Sequence, residues 1–310
     1  MKTLVTGATG FIGIELLKRF SREANEIRIL TRNVDRATES LGRHLSSMEV
    51  TRVRTFEWDS NRSVAPATAL EGVDTVFHLA GENIGGGRWT EERKRRIRES
   101  REIGTRNLVA GLNRMASPPV FISASAIGFY GDAGDRKLDE SSPKGEGFLA
   151  DVCEVWETEA RKARTSRLVL PRFGIVLGRG GGALEKLLPL FRTGLGGKNG
   201  NGKQWMSWIH VDDLVAFLVR AATDPKVEGV HNLVSSNPVR NSDFAKALGD
   251  AVHRPALLPT PAFALRVALG QMAEETILAS QRVAPQKLTA EFFSYAYPDL
   301  EGALRQIAAP

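Results

Sequence analysis

The sequence predicts an α/β protein: a doubly wound parallel sheet followed by a smaller, mainly helical domain. Three observations carry that reading. Short apolar runs alternate with helical patterns up to residue 177, a Gly-x-x-Gly-x-x-Gly turn (Gly7, Gly10, Gly13) joins the first run to the first helix, and from Gly178 the alternation gives way to glycine-rich loops and helices. Strand, helix, strand repeated many times needs crossover connections, and helices laid on both faces of a parallel sheet provide them.

Each element follows in order. Residues 3–6 form the first strand, and a helix runs from about Phe11 to Arg22. Residues 27–30 are the second strand; a long connection then leads to the acid-tailed strand 52–58. Next come strand 75–79, a basic helix across 88–106, strand 120–123, a helix around 150–162 and strand 167–170. Residues 178–182 and 194–202 are glycine-rich loops. A helix over 212–222 and a strand-like run at 229–234 follow. Asn241 or Ser242 can cap a helix over 243–252, because a short oxygen-bearing side chain accepts from the first free amides. The nucleotide-binding domain thus covers residues 1–177, completed by about 207–235. Residues 178–206 and 236–310 make the smaller, substrate-side domain.

Composition narrows the class. With 42% apolar and 25% charged residues the chain is globular rather than disordered. A single cysteine, Cys153, allows no internal disulfide, as expected in a reducing, cytoplasmic setting. The longest uncharged stretch, 115–131, holds two prolines and three serines, which argues against a membrane span. Much of the net charge of +6 sits between Arg88 and Arg106, where eight basic residues face four acids. Ile97, Gly104 and Leu108 give that segment one buried helical stripe, so the charges read as a solvated face with a phosphate contact. No nucleic-acid motif accompanies them, and nucleic acid is not an expected partner. The five histidines show no ligand spacing, so no metal is expected.

The glycine turn points to a dinucleotide. Gly7 permits the tight turn, Gly10 lets the backbone approach a pyrophosphate, and Gly13 lets helix and strand pack closely. Free amides at the helix N-terminus complete an anion site. Gly7, Thr9, Gly10, Phe11, Ile12 and Gly13 are therefore the expected cofactor contacts of a Rossmann-type domain. The end of the second strand selects among dinucleotides. A carboxylate there would hold the ribose hydroxyls of NAD, whereas this chain has Thr31 and Arg32, with Arg36 one turn on. A guanidinium grips a 2′-phosphate, so NADP (NADPH) is the expected cofactor.

GATGFIG, His78-Leu79-Ala80-Gly81, Ser123-Ala124-Ser125, FGIVLG and WIHVDDL together resemble the extended short-chain dehydrogenases/reductases. HLAGENI, SASAIGFYG, FLADVCEVWE and the closing APQKL look like an atypical branch, the epimerase family proteins with a C-terminal domain of unknown function. The resemblance spans essentially the whole chain. It implies an adenine contact from Asp59, passage of Leu79 and Ala80 under the ribose and pyrophosphate, Arg101 reaching the cofactor, and Val176 near the nicotinamide. It implies a packing role for His78.

The departure from the family is informative. Ordinary members use a Ser or Thr, a Tyr, and a Lys four residues after the Tyr, because hydride transfer at a carbonyl needs a proton at the oxygen and a free tyrosine is a poor base at neutral pH. Ser125 fits the first position, but the Tyr and Lys positions fall on Leu149 and Cys153. Three readings stay open: Tyr130 replaces the missing tyrosine beside Ser125, Cys153 acts, or the protein senses NADPH without turnover. Cys153 lies on a core-facing helix and reads as an inert buried thiol. The expected function is an NADP(H)-dependent oxidoreductase or epimerase-like enzyme on a small molecule, with the sensor as the alternative.

Overall fold

The computed structural model describes residues 1–21 and 26–309. Seven parallel strands make the central sheet: β1 (Lys2–Thr6), β2 (Glu26–Thr31), β3 (Val53–Glu57), β4 (Thr75–His78), β5 (Val120–Ser123), β6 (Arg167–Phe173) and β7 (Gly229–Leu233). Their order is β3-β2-β1-β4-β5-β6-β7, and the short strand Ser125–Ala126 joins as an eighth against β6. The chain winds outward from β1 to β3, then returns to β4 on the other side. The switch between β1 and β4 opens a crevice at their C-terminal ends, where such sheets receive ligands.

The strands are buried on both sides because helices cover both faces. Neighbouring residues therefore enter different cores. Val5, Phe77, Ile122 and Val169 meet Leu16, Leu17 and Phe20 of the Phe11–Ser21 helix and Phe217 of the Val211–Thr223 helix. Leu4, Val76, Phe121 and Leu170 meet Leu108 and Leu112 of the Glu91–Leu112 helix on the opposite face. A third core, made by Leu177, Leu184, Phe191, Trp208, Phe244, Leu248, Leu300 and Leu304, belongs to the second region. No helix among the described residues is long and apolar enough to cross a membrane.

Several elements differ from the sequence reading. Arg22, where the first helix was expected to end, lies outside the described residues. The long connection after β2 contains a helix, Val34–His44, whose amides Asn33 caps by accepting from Arg36 at 2.8 Å. A second unforeseen helix, Gly182–Arg192, separates the two glycine-rich loops. The helix near residue 243 starts at Asn241, and no side chain caps it: the Asn241 Oδ1 instead accepts from the Asn199 amide at 2.7 Å. The domain division is also less simple than expected. Leu288 is fully buried in the core of the first domain, and the Tyr295 hydroxyl donates to the Val234 carbonyl at 2.8 Å, so the chain returns to the sheet before its last helix, Leu300–Ala308.

Candidate functional site

The three glycines of the first turn have three different surroundings. Gly7 has φ +70°, and a Cβ there would lie 2.7 Å from the Leu79 carbonyl carbon and 2.8 Å from the Ala80 nitrogen. A Cβ on Gly13 would lie 2.3 Å from the Gly7 oxygen. Both positions are closed by backbone. Gly10 is open: its Cβ would meet only the Gly7 oxygen, at 3.3 Å, and would otherwise project into space. The Phe11–Ser21 helix begins immediately after it, and first-turn amides have no intrahelical partners. An open cradle at the positive end of a helix, which a side chain at Gly10 would fill, fits a pyrophosphate.

The neighbouring strand end is tied to this turn. Thr6 Oγ1 is 2.7 Å from His78 Nδ1 and 3.3 Å from the Ala80 amide that donates to it. On its other side the His78 Nε2 lies 2.9 Å from Thr105 Oγ1. Burial, helped by the nearby Arg101 charge, drives the His78 pKa down to about 3, so the ring is a neutral packing group. The ring of Phe11 lies against the second domain, since a Cβ at Gly178 or Gly181 would come within 2.5 Å of it. That contact explains why the loop at 178–182 is glycine-rich. Val176 is half-buried on the Ile175–Leu177 strand beside it.

At the end of β2, Thr31 bonds Asn33 and Arg32 is exposed. Neither Arg32 nor Arg36 makes an ion pair with a described carboxylate. Asp59 stands nearby at the end of β3, accepting from the Asn61 amide at 3.1 Å and pairing with Arg62 at 3.2 Å. Arg101 reaches the same crevice from the Glu91–Leu112 helix. Its Nη1 donates to the carbonyls of Glu82 (3.1 Å) and Ile97 (3.2 Å), and its guanidinium covers Gly81 so closely that a Cβ there would sit 3.0 Å away. The group also lies 5.0 Å from the Trp156 ring centroid. Burial lowers its pKa, and no described carboxylate pairs with it.

The positions of the missing dyad lie on the Phe148–Ala160 helix. Leu149 and Cys153 face Gly128, whose Cβ would be 3.3 Å from the Leu149 Cβ and 3.7 Å from the Cys153 Sγ. Burial pushes the Cys153 thiol up to about 11. The helix has Gly147 before it and no side-chain cap of its own; Glu275 of the second domain supplies one, accepting from the amides of Phe148 (3.0 Å) and Leu149 (2.8 Å).

Ser125 and Tyr130 belong to one buried network. The Ser125 hydroxyl donates to Glu157 at 2.7 Å. Glu157 accepts two bonds from Arg172, at 2.7 and 2.9 Å. Arg172 also donates to the Tyr130 oxygen at 2.9 Å, and the Tyr130 hydroxyl donates to Asn232 at 2.7 Å. Ser125 and Tyr130 are each 1% exposed. Both bonding roles of the phenol are filled inside the fold. Arg172 and Asn232 were not singled out in the sequence, although an arginine within the strand run RLVLPRF signals a buried partner. The His210-Val211-Asp212-Asp213 motif is likewise structural: Asp213 accepts from the amides of Ala296 and Tyr297 at 2.6 and 3.1 Å, fastening the returning C-terminal segment.

Known proteins resemble this chain in sequence and fold. The profile of the NAD dependent epimerase/dehydratase family matches residues 3–234, and that of a domain of unknown function, DUF1731, matches residues 260–307. The Arabidopsis thaliana "Epimerase family protein SDR39U1 homolog, chloroplastic" is 39% identical over 311 residues, covering 99% of this chain and 86% of its own. The Homo sapiens "Epimerase family protein SDR39U1" is 33% identical over the full length of both chains. A crystal structure of the human protein (isoform 2), with NADPH, superposes with a TM-score of 0.86 at 31% identity and covers 99% of each chain. The chain belongs to the NAD dependent epimerase/dehydratase family, on the branch that carries the DUF1731 segment.

Proposed function

We propose that this chain is an NADP(H)-dependent oxidoreductase or epimerase-like enzyme acting on a small molecule without a Tyr-x-x-x-Lys dyad. The observation that carries the reading is the first turn: Gly7 and Gly13 are closed by backbone while Gly10 alone opens outward, at a helix N-terminus beside the sheet's switch point. The unpaired Arg32 and Arg36 support NADP over NAD, because a guanidinium can bind a 2′-phosphate that a carboxylate would repel. The NADPH in the human relative's structure supports the same choice. When bound, the dinucleotide supplies the hydride donor or acceptor. Thr9, Phe11 and Ile12 present the turn's amides to it, Leu79, Ala80 and Val176 wall its path, and Asp59 meets the adenine side. Arg101, beside the Cys153 thiol where ordinary members place a lysine, provides the missing positive charge. We assign Tyr130 to the Arg172 network rather than to proton transfer.

A sensor without turnover is the second reading, and one observation favours it: Ser125 and Tyr130 are engaged internally, while Leu149 cannot move a proton and Cys153 holds its own. A panel of aldehydes and ketones with NADPH separates the two. The enzyme reading predicts NADPH oxidation that survives Tyr130→Phe and falls by ~10²-fold or more in Arg101→Met, the usual scale for losing a group that stabilises a developing oxyanion. NADPH binding with no oxidation of any panel member would exclude a net carbonyl reductase and leave the sensor or a redox-neutral epimerase standing. Turnover abolished by Tyr130→Phe in a folded protein would return the proton to that phenol.

A further inference from the structure

The loop between Gly81 and Arg88, immediately after the cofactor strand end, carries an excess of cations. Arg101 donates to the Glu82 carbonyl at 3.1 Å, Arg93 donates to the Asn83 carbonyl at 2.8 Å, and Lys186 donates to the Gly85 carbonyl. None of the three pairs with a described carboxylate. Their neighbours on the Glu91–Leu112 helix behave differently: Lys94 pairs with Glu91 at 2.6 Å, Arg98 with Glu102 at 3.1 Å and Arg106 with Glu159 at 2.8 Å. Several cations of the helix are thus paired with carboxylates, whereas Arg93 and Arg101 donate to neutral carbonyls of the loop. The one carboxylate in the loop, Glu82, leans toward Arg96 at 4.0 Å.

Two further features suit a ligand. The Arg93 Nε is a buried donor with no partner. Gly86 lies so close to the Arg93 guanidinium that a Cβ would sit 2.1 Å from Nη2, so the glycine run keeps that guanidinium against bare backbone. Arg93 comes from the Glu91–Leu112 helix and Lys186 from the Gly182–Arg192 helix, and the two donate to carbonyls of the same loop, Asn83 and Gly85. A neutral carbonyl compensates only part of a cation, and exchanging it for an anion yields shorter, stronger charge-assisted bonds.

We infer that Arg93 and Lys186, held over the Gly85–Gly87 turn, receive an anionic group of the small-molecule substrate, a carboxylate or a phosphate. The inference rests on the proposed function only in placing the substrate beside the cofactor crevice. Calorimetric titration with malonate and with inorganic phosphate, at ionic strength held constant with sodium chloride, tests it on the full chain with and without NADPH. At least one anion is expected to bind, and Lys186→Met and Arg93→Met should each weaken it at least tenfold, with Lys186→Arg restoring affinity. Malonate binding alone marks a carboxylate substrate, and phosphate binding alone a phosphorylated one. No binding of either anion, or binding that both methionine variants leave unchanged, would overturn the inference and leave these cations as fasteners of the loop. The NADPH titration in the same series reports separately: its failure would strike the cofactor reading, while the anion result without NADPH still judges this one.

Discussion

The glycine turn after β1 and the Ser125–Tyr130 corner after β5 stand at the same end of one sheet, with only β4 between their strands. In the first, Gly10 opens outward and the nearby Arg32 and Arg36 form no ion pair with a described carboxylate. In the second, Ser125, Glu157, Arg172, Tyr130 and Asn232 bond one another in sequence, and the residues at the dyad positions are a leucine and a protonated thiol. On the proposed reading, cofactor capture and proton chemistry are separate properties of this fold. The chain keeps Gly10 and Arg32 open to solvent, while the Ser125–Tyr130 corner is bonded into internal structure.

The largest effect should come from the closed corner. Arg172→Met strips buried Glu157 of its two-bond guanidinium partner and leaves it only the Ser125 hydroxyl and the half-exposed Arg161 at 3.6 Å; breaking such a buried pair typically costs about 3–5 kcal/mol. Urea denaturation measures it; a loss below about 1 kcal/mol would mean that the network contributes little. His78 gives a pH dependence. Its folded pKa of about 3 lies below the ordinary 6.5, so between those values the unfolded chain binds the extra proton. Stability should fall by a few kcal/mol as pH drops from 6.5 toward 3, and the acid limb should be shallower in His78→Gln. An unchanged limb in that variant would place the titration elsewhere.

The glycines sharpen the contrast within the open region. Gly13→Ala forces a Cβ against backbone and should destabilise by about 1–3 kcal/mol or more. Gly10→Val should leave the melting temperature near the parent's yet abolish NADPH binding, because its side chain enters the pyrophosphate cradle. Equal NADPH affinity in a folded Gly10→Val protein would reduce the turn to a mere turn. The smallest effect belongs to Cys153. With a thiol pKa of about 11, roughly one in ten thousand is ionised at pH 7, so iodoacetamide should label the folded protein far more slowly than the unfolded one.

What was legible in the sequence was local and periodic. Apolar runs ending in glycines announced β1 and its turn, and the buried stripe of Ile97, Gly104 and Leu108 announced the long helix. The Val34–His44 helix escaped because it buries only Ala37 and Leu41, too little apolar surface for a visible stripe. Gly182–Arg192 was hidden between two glycine runs and carries Pro189. The closed corner was invisible for a different reason: its members run from Ser125 to Asn232 on four separate segments, and no spacing rule links them. Glu275 capping the Phe148–Ala160 helix is a contact of the same long-range kind.

The central claim is that the open region selects NADPH. Calorimetry with NADPH and NADH on the parent and on Arg32→Asp tests it most directly. NADPH should bind the parent at least tenfold more tightly, about 1.4 kcal/mol, and Arg32→Asp should lose that preference with little change for NADH. Equal or tighter binding of NADH by the parent would contradict the claim.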